Sequence, residues 1–391
     1  MSSTNLRETF LTRGEKRFNI RGGGGCTKCS PLRWSEYFEK ELKIKIDNNN
    51  TFNTYSTGDK GPVLVLIHGG GYSGLTWSLF EEINSRVECR TLAIDLRGHG
   101  NTCTQDESNL ALHILASDIK DIIQTFYGDK SSSFILIGHS LGGAVAVEAA
   151  KLIDTVVGVC VLDVVEGSAL DSFPSMRKIL RGRPDTFITV EQAIQWSYRT
   201  GQTHNLVAAR ISMPGQIKNL STGELAANEI WNECDCVRRK KTSHLCDTKN
   251  SSLFIPEEDE EGNATNGECS QSRNNGVPDA LLPNKSTRYG WRIDLKRTEP
   301  FWYGWFKGLS QKFLELQLPK VLILANIHAI DTALTVGQMQ GNFQLQLMPR
   351  AGHAVHEDQP HHVADIIANF LIKERLALPK NNFTIFMPDA C

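Results

Sequence analysis

Three stretches hold residue types that together perform acyl transfer. Gly138-His139-Ser140-Leu141-Gly142 sets one serine between two glycines, His68-Gly69-Gly70-Gly71 lies upstream, and Ala351-Gly352-His353-Ala354-Val355-His356-Glu357-Asp358 lies far downstream. A serine hydroxyl attacks a carbonyl when a base removes its proton, and the oxyanion that forms needs N–H donors aimed at it. The glycines around Ser140 permit a strained turn that lifts its oxygen clear of the backbone. G-x-S-x-G alone recurs by chance, so its weight comes from this company. His353, directly after a glycine, is the expected base, and His356 falls in or at the start of the next helix. The expected oxyanion donors are the amides of Gly70 or Gly71 and of Leu141. No G-K-[ST] follows the glycine run, which argues against a phosphate-cradling loop.

The acid has two candidates. Asp163 ends an apolar run in Leu162-Asp163-Val164, where a buried carboxylate needs a partner such as a histidine N–H. Asp331 lies deeper in the loop after a later run, and the reading takes Asp163. His99, in Asp95-Leu96-Arg97-Gly98-His99-Gly100, precedes the serine, whereas the fold expected from the strand–serine turn–helix layout has the order serine, acid, histidine; His99 is read as structural.

The elements that must position these residues alternate between strand and helix patterns. Apolar runs at 63–67, 91–94, 134–137, 157–162, 321–325 and 343–347 predict strands buried on both faces. Residues 42–46 and 51–55 alternate in polarity around Asp47-Asn48-Asn49-Asn50, which predicts an antiparallel hairpin at a sheet edge. The predicted architecture is α/β, an α/β-hydrolase fold with a mostly parallel sheet and helices on both faces. The expected divisions are a flexible Arg/Gly-rich tail over 1–33, the first part of the core over 34–166, a helical cap over 167–231, a disordered charged insert over 232–287, and the cap end with the rest of the core over 288–391. The insert runs from Arg238-Arg239-Lys240-Lys241 to Glu257-Glu258-Asp259-Glu260-Glu261, with too little apolar content for a core.

Composition narrows the partners. The chain has 391 residues, 40% hydrophobic and 22% charged, with a formal net charge of -2. Such a balance offers no basic field for nucleic acid or an anionic membrane. The N-terminus lacks an apolar signal core and no stretch approaches the roughly 20 apolar residues of a membrane span, so a cytosolic or nuclear protein is expected. Ten cysteines are then thiols rather than a disulfide framework. Cys26-x-x-Cys29, and Cys234-x-Cys236 followed by His244-x-Cys246, are read as free thiols because their spacing suits a tetrahedral metal site poorly.

A closer likeness lies in Trp34-Ser35-Glu36-Tyr37-Phe38, Asp163-Val164-Val165-Glu166-Gly167, Leu180-Arg181-Gly182-Arg183-Pro184, Gly337-Gln338-Met339-Gln340-Gly341 and the His353 stretch. Together they resemble the protein phosphatase methylesterases from about Trp34 to the C-terminus. The resemblance implies removal of the methyl ester from the C-terminal leucine of the type 2A protein phosphatase catalytic subunit, and its triad falls on Ser140, Asp163 and His353. Ser212-Met213-Pro214-Gly215-Gln216 also resembles a family segment near the active site. Asn326-Ile327-His328 departs from the family at the strand-end loop. Ser252-Leu253-Phe254-Ile255-Pro256-Glu257 partly resembles a peptide recognised by phosphatase regulatory subunits, with serine at its first anchor.

The chemistry so implied is attack by Ser140, loss of methanol, and hydrolysis of the acyl-enzyme, with no metal or organic cofactor required. Methanol is small, so recognition must come from the peptide side. Met176, Trp196 and Met213 then have two readings, walls of a substrate groove or core of the cap. A small-molecule carboxylesterase and a non-catalytic phosphatase-binding inhibitor are the alternative functions; the second needs no triad.

Overall fold

A computed structural model describes residues 27–128, 132–230, 288–326, 330–380 and 383. The insert, Cys26 and the Cys234–Cys246 grouping lie outside the described residues. Among the described residues eight strands form one sheet. They span Lys40–Lys45, Thr51–Thr57, Val63–Ile67, Arg90–Ile94, Phe134–His139, Val156–Leu162, Lys320–Leu324 and Gln344–Leu347 for β1, β2, β3, β4, β5, β6, β10 and β11. Their order across the sheet is β1-β2-β4-β3-β5-β6-β10-β11. The hairpin β1–β2 is antiparallel, and β2 meets β4 antiparallel, while all pairings from β4 to β11 are parallel.

The central strands are apolar throughout because helices cover both faces. On one face the helices Leu112–Tyr127 and Leu141–Ala149 bury Leu115, Ile119, Val145 and Val147 against Val65, Leu136 and Val159. On the other, the long 3-10 segment Gly74–Ser85 and the helix Pro360–Lys373 bury Trp77, Phe80, Ile367 and Phe370 against Leu64, Leu66, Ile137 and Ile323. Two apolar layers thus clamp β3, β5 and β6, and the strand ends that carry the candidate residues are fixed by that clamp.

After β6 the chain forms a cap with its own core. The helices Val190–Thr200 and Leu206–Ser212 pack with a small antiparallel sheet of β7 (Thr186–Phe187), β9 (Tyr289–Trp291) and β8 (Ile217–Asn219), in that order. Phe187, Ile194, Ala209, Met213 and Ile217 fill it. Residues ahead of Trp34 are packed as well: Cys29 is 5% exposed inside the cap cluster, and the Leu32 N–H donates to the Arg210 carbonyl at 3.0 Å. The segment at 27–33 is held by burial its polar neighbours in sequence did not advertise.

Candidate active site

Ser140 sits at the turn between β5 and the helix Leu141–Ala149, with φ 53° and ψ -121°. That conformation is costly for a residue with a Cβ and persists where the surroundings enforce it. Here they do: the Ser140 N–H donates to the Leu162 carbonyl at 2.9 Å, and its own carbonyl accepts from Gly143 at 2.9 Å. The flanking glycines permit the close approach. A Cβ on Gly138 would collide with the Gly142 carbonyl, and one on Gly142 with the Ile67 carbonyl. A Cβ on Gly69 would lie 3.2 Å from the Ser140 Cβ, so the glycine run after β3 lies directly against the serine.

Asp163 ends β6, one strand over. It too has positive φ, at 51°. Its N–H donates to the Ile323 carbonyl at 2.8 Å, and its Oδ1 accepts from the Ala325 N–H at 2.9 Å. The other oxygen, Oδ2, lies 2.8 Å from His353 Nδ1. The carboxylate accepts, so Nδ1 carries the proton and Nε2 is left as the basic nitrogen. Burial raises the Asp163 pKa, but the His353 hydrogen bond and charge and the Ala325 amide outweigh it and leave it lowered. Burial alone would lower the His353 pKa; the Asp163 hydrogen bond and charge reverse that and raise it.

His353 stands on the loop between β11 and the helical turn Val355–Asp358, with its side chain 54% exposed. Its carbonyl accepts from His139 Nε2 at 2.8 Å, and the two rings lie 4.8 Å apart. His139 is fully buried and its pKa is driven well down by burial, so it stays neutral. The residue before the serine therefore holds the backbone of the histidine loop, a role that no local pattern in the chain signals. Among the described residues no hydrogen bond joins the Ser140 hydroxyl to His353, so the aspartate–histidine half is assembled and the serine–histidine half is open.

The two upstream amides differ. The Gly71 N–H donates to His99 Nε2 at 3.0 Å, while His99 Nδ1 donates to the Arg97 carbonyl at 2.8 Å. Burial lowers the His99 pKa to about 4, keeping Nε2 an acceptor. Gly71 is thus already engaged and is withdrawn as an oxyanion donor. The N–H groups of Gly70 and Leu141 have no acceptor among the described residues. His68 secures the same loop, with Nδ1 donating to the Gly69 carbonyl at 2.7 Å and Nε2 accepting from the Leu96 N–H at 3.0 Å.

The remaining candidates fall elsewhere. Asp331 caps the helix Thr332–Met339, accepting from the Leu334 N–H at 2.9 Å and from the Ser310 hydroxyl. Met213 is 0% exposed in the cap core, in one buried cluster with Phe187 and Ile217, and cannot wall a groove. Trp196 is part-exposed and packs on Phe187 and Trp291 at 5.8 and 5.4 Å. Met176 is half-buried against the larger core. No cluster of three or more His, Cys, Asp or Glu suited to a metal ion occurs among the described residues.

Comparison with known proteins addresses the fold and the family. Residues 64–232 match the Alpha/beta hydrolase family. Among solved structures, E-2-(acetamidomethylene)succinate hydrolase superposes with a TM-score of 0.58 at 17% identity, covering 85% of this chain and 99% of its own. An M. tuberculosis esterase superposes at 0.54 and 17% identity, covering 94% and 100%. At that identity the two speak for the fold alone. Protein phosphatase methylesterase 1 of Mus musculus is 42% identical over 94% of this chain and 91% of its own. The probable protein phosphatase methylesterase 1 of Caenorhabditis elegans is 36% identical over 92% and 82%. The chain therefore belongs to the protein phosphatase methylesterases, carboxylic ester hydrolases of the α/β-hydrolase fold.

Proposed function

We propose that this methylesterase removes the methyl ester from the C-terminal leucine of the type 2A protein phosphatase catalytic subunit, using Ser140, His353 and Asp163. The observation that carries the catalytic reading is the 2.8 Å Asp163–His353 contact. It fixes the tautomer that leaves Nε2 free for proton transfer, on a loop tied to His139, the residue before a serine in a strained turn. The names of the 42% and 36% identical relatives support a phosphatase as substrate.

In this reading substrate binding brings His353 Nε2 to the Ser140 hydroxyl, a contact that tightens in the complex. Nε2 takes the proton as Oγ attacks the ester carbonyl. The Gly70 and Leu141 amides hold the oxyanion, helped by the positive N-terminal end of the helix Leu141–Ala149. Collapse returns the proton to methoxide, methanol leaves, and water attacks the acyl-serine by the same route to regenerate Ser140 and a free carboxylate. The His353 imidazolium that forms in each half is stabilised by Asp163.

The test is incubation of the protein, and of Ser140→Ala, with carboxymethylated type 2A phosphatase while following the methyl group. Demethylation that falls by roughly 10⁴-fold or more in the variant supports the reading. Hydrolysis of small esters without demethylation of the phosphatase would remove that substrate and leave the esterase chemistry standing.

A further inference from the structure

Arg183 is a half-buried cation without a counter-ion among the described residues. It follows the cap helix Phe173–Gly182 in extended conformation, ahead of Pro184. Its guanidinium carbon lies 3.6 Å from the Trp291 ring centroid and 5.7 Å from that of Trp196. Trp291 is fixed by its indole N–H donating to the Pro184 carbonyl at 2.8 Å. Arg183 Nε is shut off from solvent, yet has no acceptor among the described residues. Other inward-facing arginines are paired: Arg97 with Asp118 at 2.6 Å, Arg86 with Asp365 at 2.5 Å and Arg292 with Glu107 at 2.9 Å. The Arg183 Nε–H has lost water without gaining an acceptor, and a guanidinium so placed on a rigid aromatic shelf points to a place kept for an anion.

Its surroundings face the active site. The Arg183 charge is felt at Tyr72, in the loop after Gly71. The Tyr72 ring in turn stands 5.6 Å from that of His139, the neighbour of Ser140. Further polar atoms between cap and loop are buried without partners among the described residues: Gln202 Oε1, Gln216 Nε2 and Ser73 Oγ. Gln202 and Gln216 use their other amide atoms on each other at 2.7 Å, and a Cβ on Gly215 would collide with the Ser73 hydroxyl. Native interiors leave few such atoms unsatisfied, and several together point to a polar occupant. Burial lowers the Arg183 pKa to about 10, so it remains cationic at neutral pH.

We propose that Arg183 is a specificity residue that binds a carboxylate of the peptide being demethylated, in a slot formed by the Trp291–Trp196 shelf, Gln202, Gln216 and the Tyr72–Ser73 loop. The proposal rests on the esterase reading above. A planar guanidinium pairs two-pronged with a carboxylate, and its stack on Trp291 fixes the plane in which the ligand must lie. Two carboxylates are available to such a peptide: an acidic side chain close to the ester, and the terminal carboxylate that hydrolysis releases.

The experiment uses the full chain and synthetic leucine methyl-ester peptides, carrying Asp at successive positions before the leucine or Asn in its place, with the free-acid peptides as inhibitors. Arg183→Gln and Arg183→Lys are compared with the wild type. If a side chain is bound, the wild type prefers one Asp peptide over its Asn counterpart by roughly ten- to a hundredfold, in KM rather than kcat; Arg183→Gln abolishes that ratio and Arg183→Lys keeps part of it. If the product carboxylate is bound, free-acid inhibition weakens by a similar factor in Arg183→Gln while the Asp/Asn ratio stays near one. Each ratio is taken within one variant, so a partly unfolded preparation does not imitate either result. Wild-type turnover with neither effect overturns the proposal alone, and no wild-type turnover of any peptide ester overturns the esterase reading with it.

Discussion

The Asp358 carboxylate and the Gly352 N–H lie 2.6 Å apart, and the same carboxylate accepts from the His204 N–H at 2.6 Å, from His204 Nδ1 at 2.8 Å and from the Thr203 hydroxyl at 3.1 Å. One side chain, 2% exposed, therefore ties the loop carrying His353 to the cap. Asp358→Ala leaves four donors without their acceptor. Its expected effects are a fall in kcat/KM of roughly 10²-fold from misplacement of His353, and a stability loss of about 3 kcal/mol. Ester kinetics and a urea titration read them, and an unchanged kcat/KM would show that the loop does not depend on the tie.

The raised His353 pKa fixes the sign of the pH dependence. Protonated imidazole cannot act as base, so kcat/KM falls as pH drops through a value above the ordinary 6.5. Stability runs the other way: the Asp163 partner favours the charged ring, a contribution complete below the unfolded value and lost as pH rises through the folded one. Asp163→Asn removes the charge that raises it. A pH–rate profile should show its acid limb moved to lower pH, with kcat cut by about 10⁴-fold. An unmoved limb would mean that another group titrates.

Glu357 is 1% exposed, and its Oε1 accepts from the Thr76 hydroxyl at 2.5 Å. Burial is the largest influence on it and pushes its pKa up from 4.5 to about 7, against hydrogen bonds that pull it down. The fold therefore favours the protonated acid: that contribution is full below the unfolded value, fades as pH rises towards 7, and is absent above. Glu357→Gln stays neutral throughout. Its stability should equal the wild type at pH 4 and exceed it at pH 8 by on the order of 3 kcal/mol, at about 1.36 kcal/mol per pH unit. Denaturant midpoints at the two pH values decide this.

Ser140 holds a left-handed conformation that a residue with a Cβ enters at a cost of roughly 1–3 kcal/mol. Ser140→Gly relieves that strain while removing the nucleophile. Its melting temperature should rise as hydrolysis disappears, whereas Ser140→Ala keeps the strain and should melt close to the wild type. A glycine variant no more stable than the alanine variant would place the strain elsewhere.

Local pattern in the chain was enough to set the strands and the turn at Ser140. Strands such as Val63–Ile67 and Val156–Leu162 are apolar runs because helices bury both faces, and that pattern can be read residue by residue. The glycines beside Ser140 report a backbone constraint that acts within a few residues. Tertiary closure settled what depends on distant partners: Gly71 is taken by His99, 28 residues on, and Asp163 meets His353, 190 residues on. Likewise Met213 turned inward to the cap core, Asp331 went to a helix cap, Asp358 became the tie between loop and cap, and Arg183 was left without a counter-ion among the described residues. Periodicity tells which side of an element faces apolar surroundings, but not which hydrogen-bonding group arrives there from another part of the chain.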